Sequence, residues 1–206
     1  MSDTETRDGR HARRSANRDK IIAAFLALVR EGAVDPGAHA VAKRAGVSPR
    51  TVFRCFEDME ALYRELTAAV RAEFLPRAVL DLNTPDRIER LDRLLANRAD
   101  MFGDMEPFRL ASETYRHRYA SLQDDHRFLV RMEGERLALV LNPDGAIDDA
   151  TFEALNAATS FDFWRRLRVE QGLSRTEAAR IMALTAHALA KASGPWPPVR
   201  DEGGVR

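Results

Sequence analysis

Apolar residues recur with a helical period along nearly the whole of this 206-residue chain, and no segment shows the two-residue alternation of a half-buried strand. The period restricts the fold because an amphipathic helix is stable only when other helices cover its apolar stripe. Since 45% of the residues are apolar and 31% are charged, the chain can fill a core and keep a charged surface. The sequence therefore predicts an all-α protein of about nine helices.

Glycine, proline and capping residues mark where these helices begin and end. Gly32 ends the first helix, Ser48 caps the third, and Ser174 with Glu177 forms the capping box of the last. The run from Asn142 to Gly145 is typical of a turn. The predicted helices cover residues 15–31, 38–45, 49–56, 58–75, a segment after Thr84-Pro85, a segment that Pro107 opens, 124–141, 148–171 and 174–193.

Charge is unevenly distributed, although the chain as a whole is neutral. Residues 1–56 hold nine Arg and two Lys against six Asp or Glu, a net charge of +5 that leaves −5 for the remainder (0 − 5). A basic first quarter on an acidic body is typical of a segment that binds a polyanion, although chance alone could also produce it.

Several classes of protein are not expected. No run of eighteen apolar residues occurs, which argues against a membrane span, and the polar residues 1–14 do not resemble a secretion signal. Cys55 is the single cysteine, so the chain cannot form an internal disulfide. We therefore expect a protein of the reducing cytoplasm.

The segment over 37–56 has the pattern of a helix-turn-helix, the unit that places its second helix in the DNA major groove. Gly46 can take the positive φ that the turn between the helices needs. The second helix begins at Pro49, and its first turn, including Arg50, points at base edges when it enters the groove. Small and apolar residues fill the wedge between the helices, namely Val41, Ala42, Val47 and Val52.

A longer pattern, from residue 18 to residue 62, is similar to the DNA-binding domain of the TetR family of transcriptional regulators. The rest of the chain resembles that family in length and helix count. The residues that carry the resemblance are Arg18, Ile21, Ala24, Gly32, Val41, Ala42, Ala45, Gly46, Val47, Ser48, Arg50, Thr51, Val52, Phe53, Phe56, Glu60 and Leu62.

The resemblance implies a helix-turn-helix head with its connector helix over 14–74 and a helical effector-binding and dimerisation domain over 75–194. Residues 1–13 and 195–206 are expected to be disordered. His39, near the start of the second helix, either contacts a phosphate or is an ordinary surface histidine. The side chains that would face DNA by carry-over are Ser48, Pro49, Arg50, Thr51, Phe53 and Arg54.

The chain departs from the family where phosphate donors are common. Phe53-Arg54-Cys55 stands where the family has Tyr, a second aromatic and His; Met59 stands where it has Lys; and Gly37-Ala38-His39 lacks the usual Thr. Losing several donors should weaken the sequence-independent anchoring on the backbone. Arg54 could offset the loss together with an N-terminal arm that carries Arg10, Arg13 and Arg14.

Soft and aromatic residues of the second domain are candidates for an apolar effector pocket, although for any single one of them ordinary core packing is the favoured explanation. These residues are Met101, Phe102, Met105, Phe108, Tyr115, Tyr119, Phe128 and Met132.

The last two helices carry apolar residues on more than one face, which predicts an interface of four helices between two subunits. The alternative is a monomer in which both stripes pack into one core. The residues predicted for the interface are Phe161, Trp164, Ile181, Leu184 and Ala188.

The expected function is that of a dimeric, DNA-binding transcriptional regulator, usually a repressor, which binds a near-palindromic operator and responds to a small molecule. The alternative is a helical ligand-binding dimer whose head has lost DNA affinity. An enzyme is not expected, because no nucleophile elbow, phosphate loop, zinc-protease motif or Cys–His pair occurs. No cofactor or metal is expected either, since the spacing of His117, His126, Asp124 and Asp125 fits no metal site.

Overall fold

The computed structural model describes residues 2–81, 83–141 and 147–191, with side chains described from residue 13 onward. All regular secondary structure in these ranges is helical, which confirms the prediction of an all-α protein. The helices there are α1 (Ser2–Arg30), α2 (Ala38–Ala45), α3 (Pro49–Cys55), α4 (Met59–Phe74), α5 (Arg87–Tyr115), α6 (Ala120–Leu141), α7 (Asp149–Ala158), α8 (Phe161–Arg165) and α9 (Arg175–Lys191).

Two short segments with other helical hydrogen-bonding patterns extend these helices. A 3-10 turn over Leu75–Ala78 follows α4, and a π-helical turn over Arg166–Glu170 follows α8. None of the helices in the part of the chain that the structure describes has the length and apolar character that a membrane span requires.

The chain divides into two compact units. Unit 1 consists of Met1–Val79 and Asp104–Leu129, and unit 2 of Leu80–Gly103 and Val130–Arg206. The division differs from the boundary expected near residue 75, because parts of α5 and α6 pack with the first four helices. Phe108 of α5, for example, lies 6.1 Å from the ring of Phe74 in α4, centroid to centroid.

Unit 1 is organised around α1, whose buried face contacts α2, α3 and α4. Ion pairs reinforce this packing: Arg18 pairs with Glu65, and Arg30 pairs with Glu73, so both ends of the buried face are tied to α4. The buried apolar residues of these helices are Ile21, Ala24, Phe25, Leu26, Val29, Val41, Ala42, Val52, Cys55, Phe56, Leu62, Tyr63, Leu66 and Phe74.

Unit 2 has its own core, in which Trp164 is fully buried. The edge of the Phe102 ring meets Phe161 at 5.5 Å and Trp164 at 6.2 Å between centroids. The remaining buried members of this core are Leu91, Leu94, Leu95, Leu137, Val140, Leu141, Leu155, Leu167, Ala178, Met182 and Ala186.

A break at Thr159-Ser160 separates α7 from α8, so the prediction of one continuous helix over 148–171 is wrong. The Thr159 hydroxyl donates to the carbonyl of Leu155 at 2.8 Å, and the Ser160 hydroxyl accepts from the amide of Phe163 at 3.2 Å. Serine and threonine hydroxyls compete with the helix ladder in this way and favour a new N-cap. Apolar spacing alone does not reveal such competition.

Three other boundaries differ from the sequence prediction. α1 begins at Ser2, earlier than the expected residue 15. The two helices predicted before and after Pro107 are one helix, because α5 continues through Pro107. α6 begins at Ala120, earlier than the expected residue 124.

Proline inside α5 leaves the carbonyl of Gly103 without its usual helical donor, because proline has no N–H. The guanidinium of Arg175, at the start of α9, donates to that carbonyl instead. A side chain on Gly103 would meet Arg175 at 2.9 Å, so the glycine permits this contact. The turn predicted at residues 142–145 and the tail over 195–206 lie outside the described residues.

A buried arginine joins three elements of unit 2. Arg98 of α5 is 1% exposed and donates to the carbonyl and hydroxyl of Thr159 and to the carbonyl of Glu133. Burial lowers the pKa of Arg98 to about 10, while the nearby carboxylate of Glu133 acts in the opposite direction. Because these hydrogen bonds are charge-assisted and shielded from water, the arginine fixes the break between α7 and α8 to α5 and α6.

We expect Arg98→Met to lower the free energy of unfolding by about 3–5 kcal/mol, because it leaves the buried carbonyls of Thr159 and Glu133 without their charged donor. Arg131→Met is the matched control, since that side chain is 66% exposed and pairs only with Glu135 at 3.9 Å. Urea unfolding followed by circular dichroism measures both. Equal stability of the two variants would contradict a structural role for Arg98.

Candidate nucleic-acid interface

The turn between α2 and α3 has the geometry of a helix-turn-helix corner. Gly46 has φ +67° and ψ +33°, in the left-handed region. The amide of Val47 donates to the carbonyl of Ala42 at 3.0 Å, and the amide of Gly46 donates to that of Lys43 at 3.4 Å. These two bonds are the Schellman motif that ends a helix.

The start of α3 is fixed by Ser48 and Pro49. The Ser48 hydroxyl accepts from the amide of Thr51 at 3.2 Å and lies 2.9 Å from the Thr51 hydroxyl. Pro49, which has no N–H to satisfy, takes the first helical position. The corner therefore stabilises the N-terminal end of α3, the end that points into a groove in proteins of this architecture.

The two faces of α3 differ in exposure and chemistry. Val52 and Cys55 are buried against the rest of unit 1. Arg50, Phe53 and Arg54 are exposed, and 69% of the Phe53 side chain is accessible to solvent. An exposed face that carries two arginines and an aromatic ring has the donors and the apolar surface that read base edges.

The arginines near this face fall into two groups. Arg44 of α2 binds Glu31 in a two-pronged ion pair, with N–O distances of 2.8 and 2.6 Å. These hydrogen bonds hold the pKa of the Glu31 carboxyl below its usual value and raise the pKa of Arg44. Arg50 and Arg54 have no side-chain partner among the described residues and keep all their donors for a ligand.

The structure places the other predicted DNA-facing residues as follows. His39 is exposed on α2, and Pro49 is half-buried. The hydroxyls of Ser48 and Thr51 are engaged with each other and with the cap, so they are less available as phosphate donors. The arginines expected on an N-terminal arm lie on α1, with Arg13 and Arg14 exposed and the side chain of Arg10 outside the described set.

The corner between α3 and α4 is capped by a carboxylate. Asp58 accepts from the amide of Ala61 at 2.7 Å, and the guanidinium of Arg18 lies 5.1 Å from the centre of the Phe56 ring. The cap and the stacking interaction fix the C-terminal end of α3 to α1 and α4. Both ends of α3 are thus held by the surrounding helices.

An apolar cavity of about 60 Å³ lies in unit 1 among α1, α4, α5 and α6. Three residues predicted for the effector pocket line this cavity, namely Met105, Phe108 and Tyr115. Arg109 and Asp125 are its charged lining residues. At this volume the cavity holds only a few water-sized groups and would have to expand for a larger ligand.

The other residues predicted for the effector pocket are not brought together. Met101 is buried, Met132 is half-buried, and Phe102 belongs to the core of unit 2. The Tyr119 ring packs against Tyr63 at 4.7 Å between centroids. The guanidinium of Arg71 lies 4.0 Å from the centre of the Phe128 ring.

A cluster of three tyrosines, which sequence analysis missed in part, joins α4 to the end of α5. Tyr63 lies 6.0 Å from Tyr115 and 4.7 Å from Tyr119 between ring centroids. The Tyr115 hydroxyl donates to Asp35 at 2.6 Å, and this hydrogen bond raises the pKa of Tyr115. Because Asp35 lies in the turn before α2, the cluster connects the end of α5 to the base of the helix-turn-helix.

Two residues predicted for a subunit interface are unavailable for that role. Phe161 and Trp164 are 3% and 0% exposed in the chain's own core, so their apolar faces are already covered. This face of the segment therefore packs within the chain. Leu184 and Ala188 of α9 are exposed instead, and Ile181 is half-buried beside them.

Asp124, Asp125 and His126, near the start of α6, have protein partners. Asp125 binds Arg71 at 2.5 Å, Asp124 binds Arg127 at 2.5 Å, and His126 lies 2.8 Å from a guanidinium nitrogen of Arg116. Among the described residues, no group of three or more His, Cys, Asp or Glu side chains could hold a metal ion.

Comparison of the sequence with protein-family models and with curated proteins gives no match. The functional assignment therefore depends on the geometry of the helix-turn-helix and on the side chains that its second helix exposes.

We expect Gly46→Ala to destabilise the head by about 1–2 kcal/mol, the cost of a left-handed conformation for a residue with a Cβ. An added Cβ would meet no atom within 4 Å, so the cost is conformational and not steric. Gly46→Asn is the control and should cost less, because asparagine tolerates this conformation better. Thermal unfolding of both variants checks the order, and equal losses would contradict it.

Proposed function

We propose that the protein is a DNA-binding transcriptional regulator of the TetR type. The observation that carries the proposal is the exposed face of α3, on which Arg50 and Arg54 have no partner among the described residues and Phe53 is largely solvent-accessible. An arginine in the major groove donates two hydrogen bonds to the O6 and N7 atoms of guanine, and an aromatic ring contacts the methyl group of thymine. The exposed face of α3 carries both arginines and an aromatic ring.

Contacts to the DNA phosphates would come from residues around α3. The amide of Arg50 is the one left for a phosphate at the start of α3, because Pro49 has no N–H and the amides of Thr51 and Val52 donate to Ser48. Lys43 of α2 is exposed nearby in the chain. Arg14 on α1 is a further candidate. Arg44 contributes less, because Glu31 already neutralises it. We therefore expect a modest number of phosphate contacts and a correspondingly shallow salt dependence.

A dimer would bring two such heads to the two half-sites of a near-palindromic operator. The surface that supports a dimer is the outward face of α9, where Leu184 is 63% exposed and aligns with Ile181 and Ala188 at helical spacing. Small neighbours on this helix allow a second helix to approach closely.

Response to a small molecule would use the cavity of about 60 Å³ among α1, α4, α5 and α6. Its walls include Phe25 and Val29 of α1 and Leu66 of α4, the helices that hold the helix-turn-helix. A ligand that binds only the expanded cavity would favour one arrangement of these helices, and by linkage would change the affinity for DNA.

The second candidate is a ligand-binding dimer whose head has lost DNA affinity. The observation that favours it is the engagement of possible phosphate donors with the protein itself, at Ser48, Thr51 and Arg44. A mobility shift against the DNA that flanks the protein's own gene, over a salt series, separates the two. Absence of a shift at low salt would favour the second candidate.

We expect Arg50→Ala to weaken binding to the specific site by about 1–3 kcal/mol and to relax preference at one base position. Arg54→Ala, in contrast, should weaken binding to all sequences and reduce the salt slope by about one if Arg54 contacts a phosphate. Fluorescence anisotropy with specific and scrambled duplexes measures both.

The matched control for these variants is Arg131→Ala, which removes an exposed arginine from unit 2. It should leave DNA affinity unchanged. If Arg50→Ala binds the specific site as tightly as Arg131→Ala, then Arg50 is not a contact residue.

We expect Leu184→Glu to convert the dimer to a monomer, because a carboxylate at the centre of an apolar interface is desolvated without a partner. Val79→Glu is the control, since Val79 is 81% exposed in unit 1 and outside α9. Sedimentation equilibrium gives the mass of each variant. A Leu184→Glu protein that sediments like the wild type would show that α9 is not the interface.

A further inference from the structure

A second cavity, larger than the first, lies inside unit 1 beside α3. Its volume is about 220 Å³, and it is lined by residues from α1, the turn before α2, α2, α3 and the start of α4. An engineered cavity of about 150 Å³ holds a benzene molecule, so a cavity of this size has room for a single ring.

The inner wall of this cavity is apolar. Ile21 and Phe25 of α1, Val41 of α2 and Leu62 of α4 are buried there. Phe53 and Met59 stand at the entrance, with 69% and 41% of their surface exposed. Two large apolar side chains left exposed beside a cavity would gain free energy from an apolar occupant that removes their surface from water.

The charged residues that line the cavity are all acidic. Among the described residues, Asp35, Glu57 and Asp58 belong to its lining, and no lysine or arginine does. Asp35 accepts from the Tyr115 hydroxyl and Asp58 accepts from the amide of Ala61, and these neutral donors bring no positive charge to the carboxylates. Glu57 has no side-chain partner among the described residues.

Arg18, which contacts the lining residue Phe56, does not cancel this charge. Arg18 lies over the Phe56 ring but forms its ion pair with Glu65, at 3.2 Å between Nε and Oε2. Carboxylates beside a low-dielectric wall attract a cation and repel an anion. A metal ion is the less suitable cation, because the apolar wall offers none of the oxygen ligands that it requires.

We infer that this cavity is a binding site for a small organic cation with an aromatic or aliphatic body, such as a protonated primary amine on a single ring. The ring would occupy the apolar interior, and the ammonium group would face Glu57 and its neighbours. Phe53 and Phe56 also offer ring faces to the cation.

Occupancy of this site has a consequence for the exposed face of α3. Phe53 belongs both to the cavity entrance and to the face that carries Arg50 and Arg54, so a bound cation would hold its ring against the cavity. This consequence rests on the proposed DNA-binding function. The binding site itself does not, and protein without DNA tests it separately.

The experiment is a titration of the full-length, DNA-free protein, labelled with ¹⁵N and at its methyl groups, followed by heteronuclear NMR. The probes are benzylammonium, benzyl alcohol and benzoate at constant ionic strength, which share a ring and differ in charge. We expect benzylammonium to shift signals of Phe53, Met59 and Leu62, benzyl alcohol to bind about fivefold more weakly, and benzoate not to bind.

Variants at the cavity entrance test which residues bind benzylammonium. Met59→Lys places a positive charge at the entrance and should weaken the binding of benzylammonium by about fivefold or more. Met59→Leu keeps the apolar shape and should bind benzylammonium as tightly as the wild type. Glu57→Gln should weaken binding, and its matched control Glu153→Gln, at an exposed site on α7, should not. Circular dichroism and melting temperature establish that each variant is folded.

Three outcomes would overturn the proposal. No shift of the cavity signals with any probe means that the cavity takes no such ligand. Equal affinity for benzylammonium and benzyl alcohol means that the carboxylates do not favour a cation over a neutral ligand. If these signals shift as the protein concentration rises but do not shift with any probe, a second copy of the chain covers the cavity. A positive titration with no mobility shift would uphold the site and refute the DNA-binding proposal.

Discussion

Packing of the buried face of α1 against α2, α3 and α4 is the interaction on which the candidate interface depends. α2 has eight residues and α3 has seven, and isolated helices of this length are not stable in water. Ile21 and Phe25 supply the apolar surface that makes them stable, and the ion pairs of Arg18 and Arg30 fix α4 to the same helix. The exposed face of α3 keeps its orientation because the opposite face, with Val52 and Cys55, is buried against α1 and α2.

Charge near α3 is divided between two adjacent surfaces. Arg50 and Arg54 make one surface basic, whereas Asp35, Glu57 and Asp58 make the cavity beside it acidic. Phe53 lies where the two meet. A polyanion and a small cation would therefore use neighbouring sites that share one aromatic ring, and the free energies of the two binding events would be coupled through it.

Most helices and the helix-turn-helix could be predicted because their signals are local. Gly46, Ser48 and the Ser174–Glu177 capping box act within a few residues, and the structure confirms all three. The break at Thr159-Ser160 and the passage of α5 through Pro107 could not be predicted from apolar spacing. The break lies at a local Ser160 cap, and Arg98 binds Thr159 there across 61 positions. At Pro107 the missing helical donor is replaced by Arg175, which reaches Gly103 across 72 positions.

Near neighbours in the chain set helical period, caps and turns, so the helical class, the corner between α2 and α3 and the side chains of the α3 face follow from local sequence. Long-range packing selects which of those side chains remain available. It engaged Arg44 with Glu31, buried Phe161 and Trp164 within the chain, and gathered carboxylates from separate segments around one cavity. The physical reason is that burial and pairing depend on which distant residues meet, and a linear pattern does not contain that information.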